Sequence, residues 1–521
     1  MSYPSIKVGD NLLQDARFTF LEVRQVLNEH WWCTFACGQE NDAPIPVQDW
    51  LGKELEITST DEQKVDHIHF SGFILSVDLI YEASGTFSAH CTAVTYSWLL
   101  DQAPHKQYYL AKTLSDIASI AAGRAGLTAS VNAAGSKPLN YVQYGETDFS
   151  FLHRITDDYK AWLRPSVKGI EIFDSFQAGT DLEWRGSSGL GLLDFMLGGT
   201  LKPASFNGSH YDFHVMQSQM FQNVSKAPSF TSSSAGLASA VVAQSQAVMP
   251  SSFVQQRPRA MTLADFQTSI EDEAERALGS AITGRGSSRN TALYAGNTVN
   301  ITGSIAAAGT YGLVAVTHRW DAGGYGNTFT VTPWQNYRNS TEPPLRSWHG
   351  IVPACVTAHN DPKKMGRIQV QFFWQDDGST HWARTTSPHA GPDRGFMFMP
   401  EIGDEVAVAF EDGDPERPVI LGSLWNGVHQ APRYDFRGGD IDDNDVKRLV
   451  TKSGNRIHLS DKAGQETVFL ATPAHNSLTM TEQSNETGNH LIVLHSDGDI
   501  VLSAPNGRVH IDSLTFSRVN G

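Results

Sequence analysis

Between residues 457 and 511, apolar residues recur in pairs at alternate positions: Ile457/Leu459, Val468/Leu470, Leu478/Met480, Ile492/Leu494, Ile500/Leu502 and Val509/Ile511. From Ile492 to Ile500 is eight residues and from Ile500 to Val509 is nine, with polar turns such as SDGD and APNG between them. Alternation puts both members of a pair on one face of a short strand. Strands repeated at near-regular spacing are the pattern of a β-solenoid or β-helix. Two inward residues per strand cannot enclose a core. The strip needs neighbours, and the simplest neighbours are copies of itself.

The rest of the chain is also dominated by strand patterns. HWWCTFACG, HIHFSGFILSVDLIYEA and FSAHCTAVTYSWLL are β-branched and aromatic runs bounded by polar turns. Residues 113–126 break the pattern with Leu114, Ile117 and Ile120 at helical spacing, Thr113 as N-cap and Gly126 past the end. YVQYGETDFSFLHRITDDYKAWLRP predicts a strand and then a helix, with Phe149, Leu152 and Ile155 on one face. Residues 225–258 are rich in Ser, Ala and Gln with few charges, and read as a long loop insertion. A helix over 263–278 follows, with acids early and Arg276 late. The Pro343–Pro344 pair marks a linker. Beyond it, GRIQVQFFW, HWARTTSP, GFMFMPEIGDEVAVAFE and PVILGSLW predict about five strands in about 80 residues, enough for a small closed barrel of the OB type. The resulting division is 1–345, 346–430 and 431–521, and the fold class is mainly β with a few helices.

With 521 residues, several domains are expected. The balance of 39 basic against 56 acidic residues gives a net charge of −17, which argues against a phosphate-tracking surface and against adsorption to anionic lipid. The N-terminal MSYPSIKVGDNLLQDARF lacks an apolar core and carries Asp10 and Asp15, so no signal peptide is expected. No run of 18 apolar residues occurs. Four cysteines, Cys33, Cys37, Cys91 and Cys355, do not make a disulfide framework, which fits a protein made in a reducing cytoplasm.

Candidate chemistry is sparse. Cys33 and Cys37, with His67 and His69, have the residue types of a zinc site. On a strand, however, the two sulfurs would lie roughly 13 Å apart. The cysteines read as core residues and the histidines as the polar face of a strand. Asp440, Asp442 and Asn444 start like a calcium loop, but Asp445 stands where glycine is needed and Thr451 where glutamate is needed. GLGLLDFMLGG has Asp194 in place of the third glycine of a dinucleotide loop. In EDGDPERP, Gly413, Pro415 and Pro418 mark a turn whose acids solvate and cap it. No catalytic residue, metal ligand or cofactor is expected.

In its order of parts the chain resembles the VgrG family, the spikes of type VI secretion, and the related hub-spike proteins of contractile phage tails and extracellular injection particles. The resemblance is carried by DPKKMGRIQVQFFW, HWARTTSPHAG and GFMFMPEIGDEVAVAFEDGDPERPVILGSLWN in the barrel, and by YVQYGETDFSFLHRITDD in the hub. SGFILSVDL, LLDQAPHKQYYLAKTLSDI and LYAGNTVNI agree more loosely. It implies a phage-tail-hub-like region of two β-barrel subdomains, an OB-fold and an intertwined trimeric β-helix needle lined by the twelve paired residues from Ile457 to Ile511. It also implies a structural, membrane-puncturing role without enzyme activity. A tube protein of the Hcp type would sit at the hub end and a tip protein of the PAAR type at the other, with baseplate proteins and effectors as further partners and no nucleic acid. Delivery from the bacterial cytoplasm would need no signal peptide. The apolar alternation runs on through Leu514 and Phe516, which are expected to contact the tip protein. Only about 20–30 residues separate barrel from needle, too few for a hydrolase domain.

Overall fold

The computed structural model describes residues 4–13, 18–38, 47–61, 64–81, 83, 87–133, 138–184, 191–213, 215–228, 235–254, 263–334, 350–375, 378–432, 445–482 and 490–512. It divides into two compact units, Met1–Leu424 and Trp425–Gly521.

In the first unit the strand-rich ends of the hub region share one sheet. Gly309–Asp321, Phe18–Val26, Trp32–Gly38, Phe87–Thr95, Asp66–Tyr81 and Glu54–Thr60 are successive neighbours in it. Its non-local seam is the antiparallel pairing of Gly309–Asp321 with Phe18–Val26, where Val316 stands opposite Gln25 and Arg319 opposite Glu22. Period-2 burial supplies the core: Leu21 and Val23 from one strand, Cys33, Phe35 and Cys37 from the next, with Phe70, Ile74 and Trp320 packed against them.

The segment between the two halves of this sheet forms a separate α/β body. Helix α1 (Leu114–Arg124) begins at Thr113, whose hydroxyl accepts from the Asp116 N–H at 3.1 Å while the Asp116 carboxylate accepts from the Thr113 N–H at 3.0 Å. Helix α2 (Asp148–Asp158) buries Phe149, Leu152 and Ile155 against α1 and the strands Trp162–Ser166 and Gly169–Phe173. The expectation of a loop at 225–258 is corrected in part, because Ala235–Val248 is a helix, α3. Its Ala238, Val241 and Ser245 are buried at i, i+3 and i+7, a stripe of residues too small or too polar to stand out as amphipathic. Helix α4 (Leu263–Gly279) packs Phe266, Ile270 and Ala274 on the strand Phe206–Asp212.

Residues 352–423 form a closed barrel in the order Val352–Ala358, Ile368–Phe372, His381–Thr385, Pro418–Ser423, Glu405–Phe410. Ile368, Val370 and Phe372 point inward with Val406, Val408 and Ile420. The barrel touches the hub through rings: Tyr108 lies 3.8 Å from His381 and Tyr144 meets Trp374 edge-on at 5.3 Å. Beyond Gly395, which ends the short strand Arg394–Gly395, the segment FMFMP is not a strand, and Phe396, Met397 and Phe398 stand exposed.

In the second unit, five strands form one antiparallel meander: Val446–Val450, Arg456–Ser460, Thr467–Ala471, Ser477–Thr481 and Leu491–His495.

Candidate assembly face

The register of the meander aligns its apolar pairs. Ile457 stands opposite Leu449 and Leu470, Leu470 opposite Leu478, and Leu478 opposite Leu494. Two residues along, Leu459 stands opposite Val468, Val468 opposite Met480, and Met480 opposite Ile492. Directly opposed residues share a face. The first eight of the twelve predicted interior residues therefore form two continuous apolar rows on one side. The other side carries the mixed row Arg448, His458, Phe469, Thr479 and Val493.

Among the described residues, nothing in the second unit covers the apolar side. Ile492 is 74% exposed and Leu494 56%, and an open trough of ≈ 530 Å³ runs between Leu449, Ile457, Leu470, Leu478 and Leu494. A contiguous apolar surface of this kind marks an interaction site in a folded protein. Strand pairing within the chain stops at His495 among the described residues. Ile500, Leu502, Val509 and Ile511 follow without strand structure and are exposed. Leu514 and Phe516 lie outside the described residues.

The other candidate residues are accounted for by structure. Cys33 and Cys37 lie on one strand and are fully buried, and burial pushes the Cys33 thiol well up. His67 sits 2.8 Å from the Asp61 carboxylate. His69 is not on a polar face: a bulge in its strand turns it into the core, where it is buried. Asp440, Asp442 and Asn444 lie outside the described residues, and the second half of that segment begins a strand. GLGLLDFMLGG leads into the strand Leu192–Gly199. In EDGDPERP, Glu411 pairs with Arg384 and with Arg417, the latter at 2.7 Å, and the Asp414 carboxylate accepts from the Glu416 N–H at 2.9 Å. No three His, Cys, Asp or Glu among the described residues are grouped to hold a metal ion.

The polar residues of YVQYGETDFSFLHRITDD are structural too. The buried Asp148 carboxylate accepts from Arg124 Nε at 3.0 Å and Gln143 Nε2 at 2.9 Å, and Arg154 clamps Glu146 with two bonds of 2.8 Å. These pairs fix α1 and α2 to the paired strands Pro104–Lys112 and Leu139–Thr147, whose Tyr108 and Tyr144 meet the barrel. Sequence reading missed the ion pairs because Arg124 lies 24 positions from Asp148 and Arg154 eight from Glu146.

A large curled sheet followed along the chain by a closed OB-type barrel is the architecture of a baseplate hub. Residues 33–324, more than half of the chain, match the family model of the phage tail baseplate hub (GPD), and the chain belongs to that family. Residues 352–425 match the type VI secretion system/phage-baseplate injector OB domain. Among curated relatives, the spike proteins VgrG4b and VgrG5 of the Pseudomonas aeruginosa type VI secretion system are 33% and 32% identical over 162 and 163 residues, 28% of this chain in each case. The match spans 20% of the length of either relative. The actin cross-linking toxin VgrG1 of Vibrio cholerae is 27% identical over 158 residues, 28% of this chain and 14% of the toxin. The fold is shared with the Escherichia coli c3393 protein, described as a type VI secretion component similar to the T4 tail proteins gp27 and gp5 (TM-score 0.52, 18% identity, 80% of this chain and 99% of that one). It is shared also with a chain of the lidded Francisella PdpA–VgrG complex (TM-score 0.62, 10% identity, 95% and 80%).

Proposed function

We propose that this chain is the structural spike of a contractile injection machine of the type VI secretion kind, acting as a homotrimer. The observation that carries the reading is the uncovered double row from Ile457 to Leu494, attached to a hub of the baseplate family and an injector OB barrel. Three such sheets turned inward would bury the rows in a common β-helix. Ile500, Leu502, Val509 and Ile511 would join them once neighbouring chains supply strand partners. Hub, barrel and needle then correspond to 1–345, 346–430 and 431–521.

In this reading the hub end caps an Hcp-like tube within a baseplate. The C-terminal region, with Leu514 and Phe516, holds a PAAR-like tip protein, and effectors travel on the assembly. The Francisella neighbour, titled as a complex of PdpA with VgrG, is in keeping with cargo carriage. The spike is assembled in the bacterial cytoplasm and leaves with the machine, piercing the target membrane mechanically. It carries no enzyme activity or cofactor. The match to a phage tail hub model favours, as second reading, the same role in a phage tail or an extracellular particle.

Light scattering on the purified chain tests the reading: a mass of three times 57.1 kDa is expected, and a stable monomer at micromolar concentration overturns it. Incubation with peptidoglycan is expected to release no soluble fragment, and release that survives repurification would establish a hydrolase.

A further inference from the structure

His69 and His318 come from strands that are not neighbours. Between Asp66–Tyr81 and Gly309–Asp321 the sheet interposes three others, Phe18–Val26, Trp32–Gly38 and Phe87–Thr95. Yet the two imidazoles lie 4.3 Å apart, centroid to centroid, with the Trp320 ring 5.3 Å from His69 and 5.9 Å from His318. Contact across three intervening strands means that the sheet curls until its inner face meets itself. The histidines sit where it meets. Gln25 reinforces the crossing: its Nε2 donates to the His69 carbonyl at 2.8 Å and its Oε1 accepts from the Ala295 N–H at 3.0 Å.

Both rings are buried, with 1% and 0% of their surface exposed. Each uses one nitrogen, His69 Nε2 with the Ser59 hydroxyl at 2.7 Å and His318 Nδ1 with the Tyr325 hydroxyl at 2.8 Å. The second nitrogens, His69 Nδ1 and His318 Nε2, have no hydrogen-bond partner among the described residues. Tyr325 Oη also accepts from Asn327 Nδ2 at 2.9 Å, and it shares its own proton between His318 at 2.8 Å and the more distant Asn290 carbonyl at 3.4 Å.

The groups that face the pair are neutral or occupied. Ser59, Gln25 and Trp320 carry no charge, and Tyr325 is held neutral because burial raises its pKa. His67, the remaining titratable neighbour, pairs with Asp61. No carboxylate is hydrogen-bonded to either ring among the described residues. A proton on either ring would place an unpaired charge in the core beside a second imidazole.

We infer that the His69–His318 pair is an acid-sensitive tie: neutral, it holds the curled hub sheet closed, and protonation opens it. Desolvation lowers both pKa values, that of His318 to about 3, with the neighbouring histidines adding to the effect. An unfolded histidine takes up its proton near pH 6.5. Below that pH the open state binds protons that the closed state refuses, so stability falls as pH falls toward the folded-state value. The slope is about one decade in the closing equilibrium per pH unit for each histidine.

The hub carries its own reporters. Cys33, Cys37 and Cys91 are buried in the same core and form no disulfide. The full chain is labelled with a pyridyl disulfide, which reacts with thiols at acidic pH, and the labelled positions are read by peptide mass spectrometry between pH 7.5 and 4.5. Labelling of these three relative to Cys355 is expected to rise by up to about 100-fold per histidine from pH 6.5 to 4.5. In the double variant His69→Gln/His318→Gln it should stay nearly flat. Parallel curves for wild type and variant would overturn the inference. Should the double variant not fold at pH 7.5, the wild-type imidazole NMR signals decide. Neutral rings at pH 5 support the tie, and imidazolium at pH 6 with the three hub thiols still protected from labelling overturns it.

Discussion

Ile492 and Val493 are adjacent residues on opposite faces of the last strand of the second unit, which makes them a matched pair for testing assembly. Ile492 is 74% exposed in the isolated chain, so about three-quarters of its surface remains to be buried. Fully burying such a side chain contributes about 1.5–3 kcal/mol, so the remaining fraction supplies about 1–2 kcal/mol per copy and about 3–6 kcal/mol for three. Ile492→Asp removes that term. In the proposed trimer it would also bring three unpaired carboxylates to one level of the needle, at several kcal/mol each unless they take up protons. Each 1.4 kcal/mol is a factor of ten, so the association constant should fall by at least two to four decades. Val493 stands in the row of Arg448, His458, Phe469 and Thr479, and Val493→Asp should alter association by less than a factor of ten. Light scattering across a dilution series, with heat and detergent resistance alongside, measures both. If the Ile492→Asp oligomer is as resistant as wild type, or if the two variants behave alike, the face does not turn inward.

Three further outcomes concern stability. Arg124→Met should cost about 3–5 kcal/mol in urea unfolding, because the Asp148 carboxylate stays buried without its guanidinium; a loss below about 1 kcal/mol would refute the pairing. Gly179→Ala should lower the melting temperature by several degrees, since its Cβ would lie 1.8 Å from the Thr298 carbonyl oxygen, whereas Gly326→Ala meets nothing within 4 Å and should be nearly neutral. The Arg367 guanidinium, with the Lys363, Met365 and Arg367 N–H groups, holds the Asp361 carboxyl well below the usual range. The native group thus stays ionised where the unfolded chain takes up a proton. Its contribution is present above about pH 4 and lost as pH falls further. Asp361→Asn should remove that acid dependence and cost about 1.5–3 kcal/mol at pH 7, and an unchanged acid-unfolding curve would refute it.

Local rules were legible wherever one face of an element is apolar. The barrel strands follow from Ile368/Val370/Phe372 and Val406/Val408, and α1 from its Thr113 N-cap. The apolar pairs of the C-terminal region predicted a common face, and the register of the meander lines up the first eight. What failed depended on non-local packing. Helix α3 buries alanine, valine and serine, so its stripe has little contrast with the rest of its surface. His69 reads as outward by alternation, and the bulge that turns it inward leaves no mark in composition. GFMFMP has strand-like residues, yet Met397 is 83% exposed. The ion pairs around Asp148 join positions brought together by the pairing of Pro104–Lys112 with Leu139–Thr147 and by the helices, which spacing along the chain does not reveal.

The pairing of Phe18–Val26 with Gly309–Asp321 also sets a schedule. During synthesis the first strands of the hub, through Phe87–Thr95, are complete about two hundred residues before Gly309–Asp321 is made. The strand that covers Phe18–Val26 then has still to be translated. At about 5–20 residues per second the gap lasts on the order of ten seconds or more. Throughout it, Phe18–Val26 presents an unpaired edge that carries Phe18, Phe20, Leu21 and Val23. Each polysome holds several nascent chains in this state side by side. Edge-to-edge pairing between them competes with the correct closure, which must wait for a contact of high sequence separation. The hub is therefore a protein whose yield is set by protection of one nascent strand, and a chaperone that binds extended apolar segments should raise soluble expression more than any stabilisation of the finished fold.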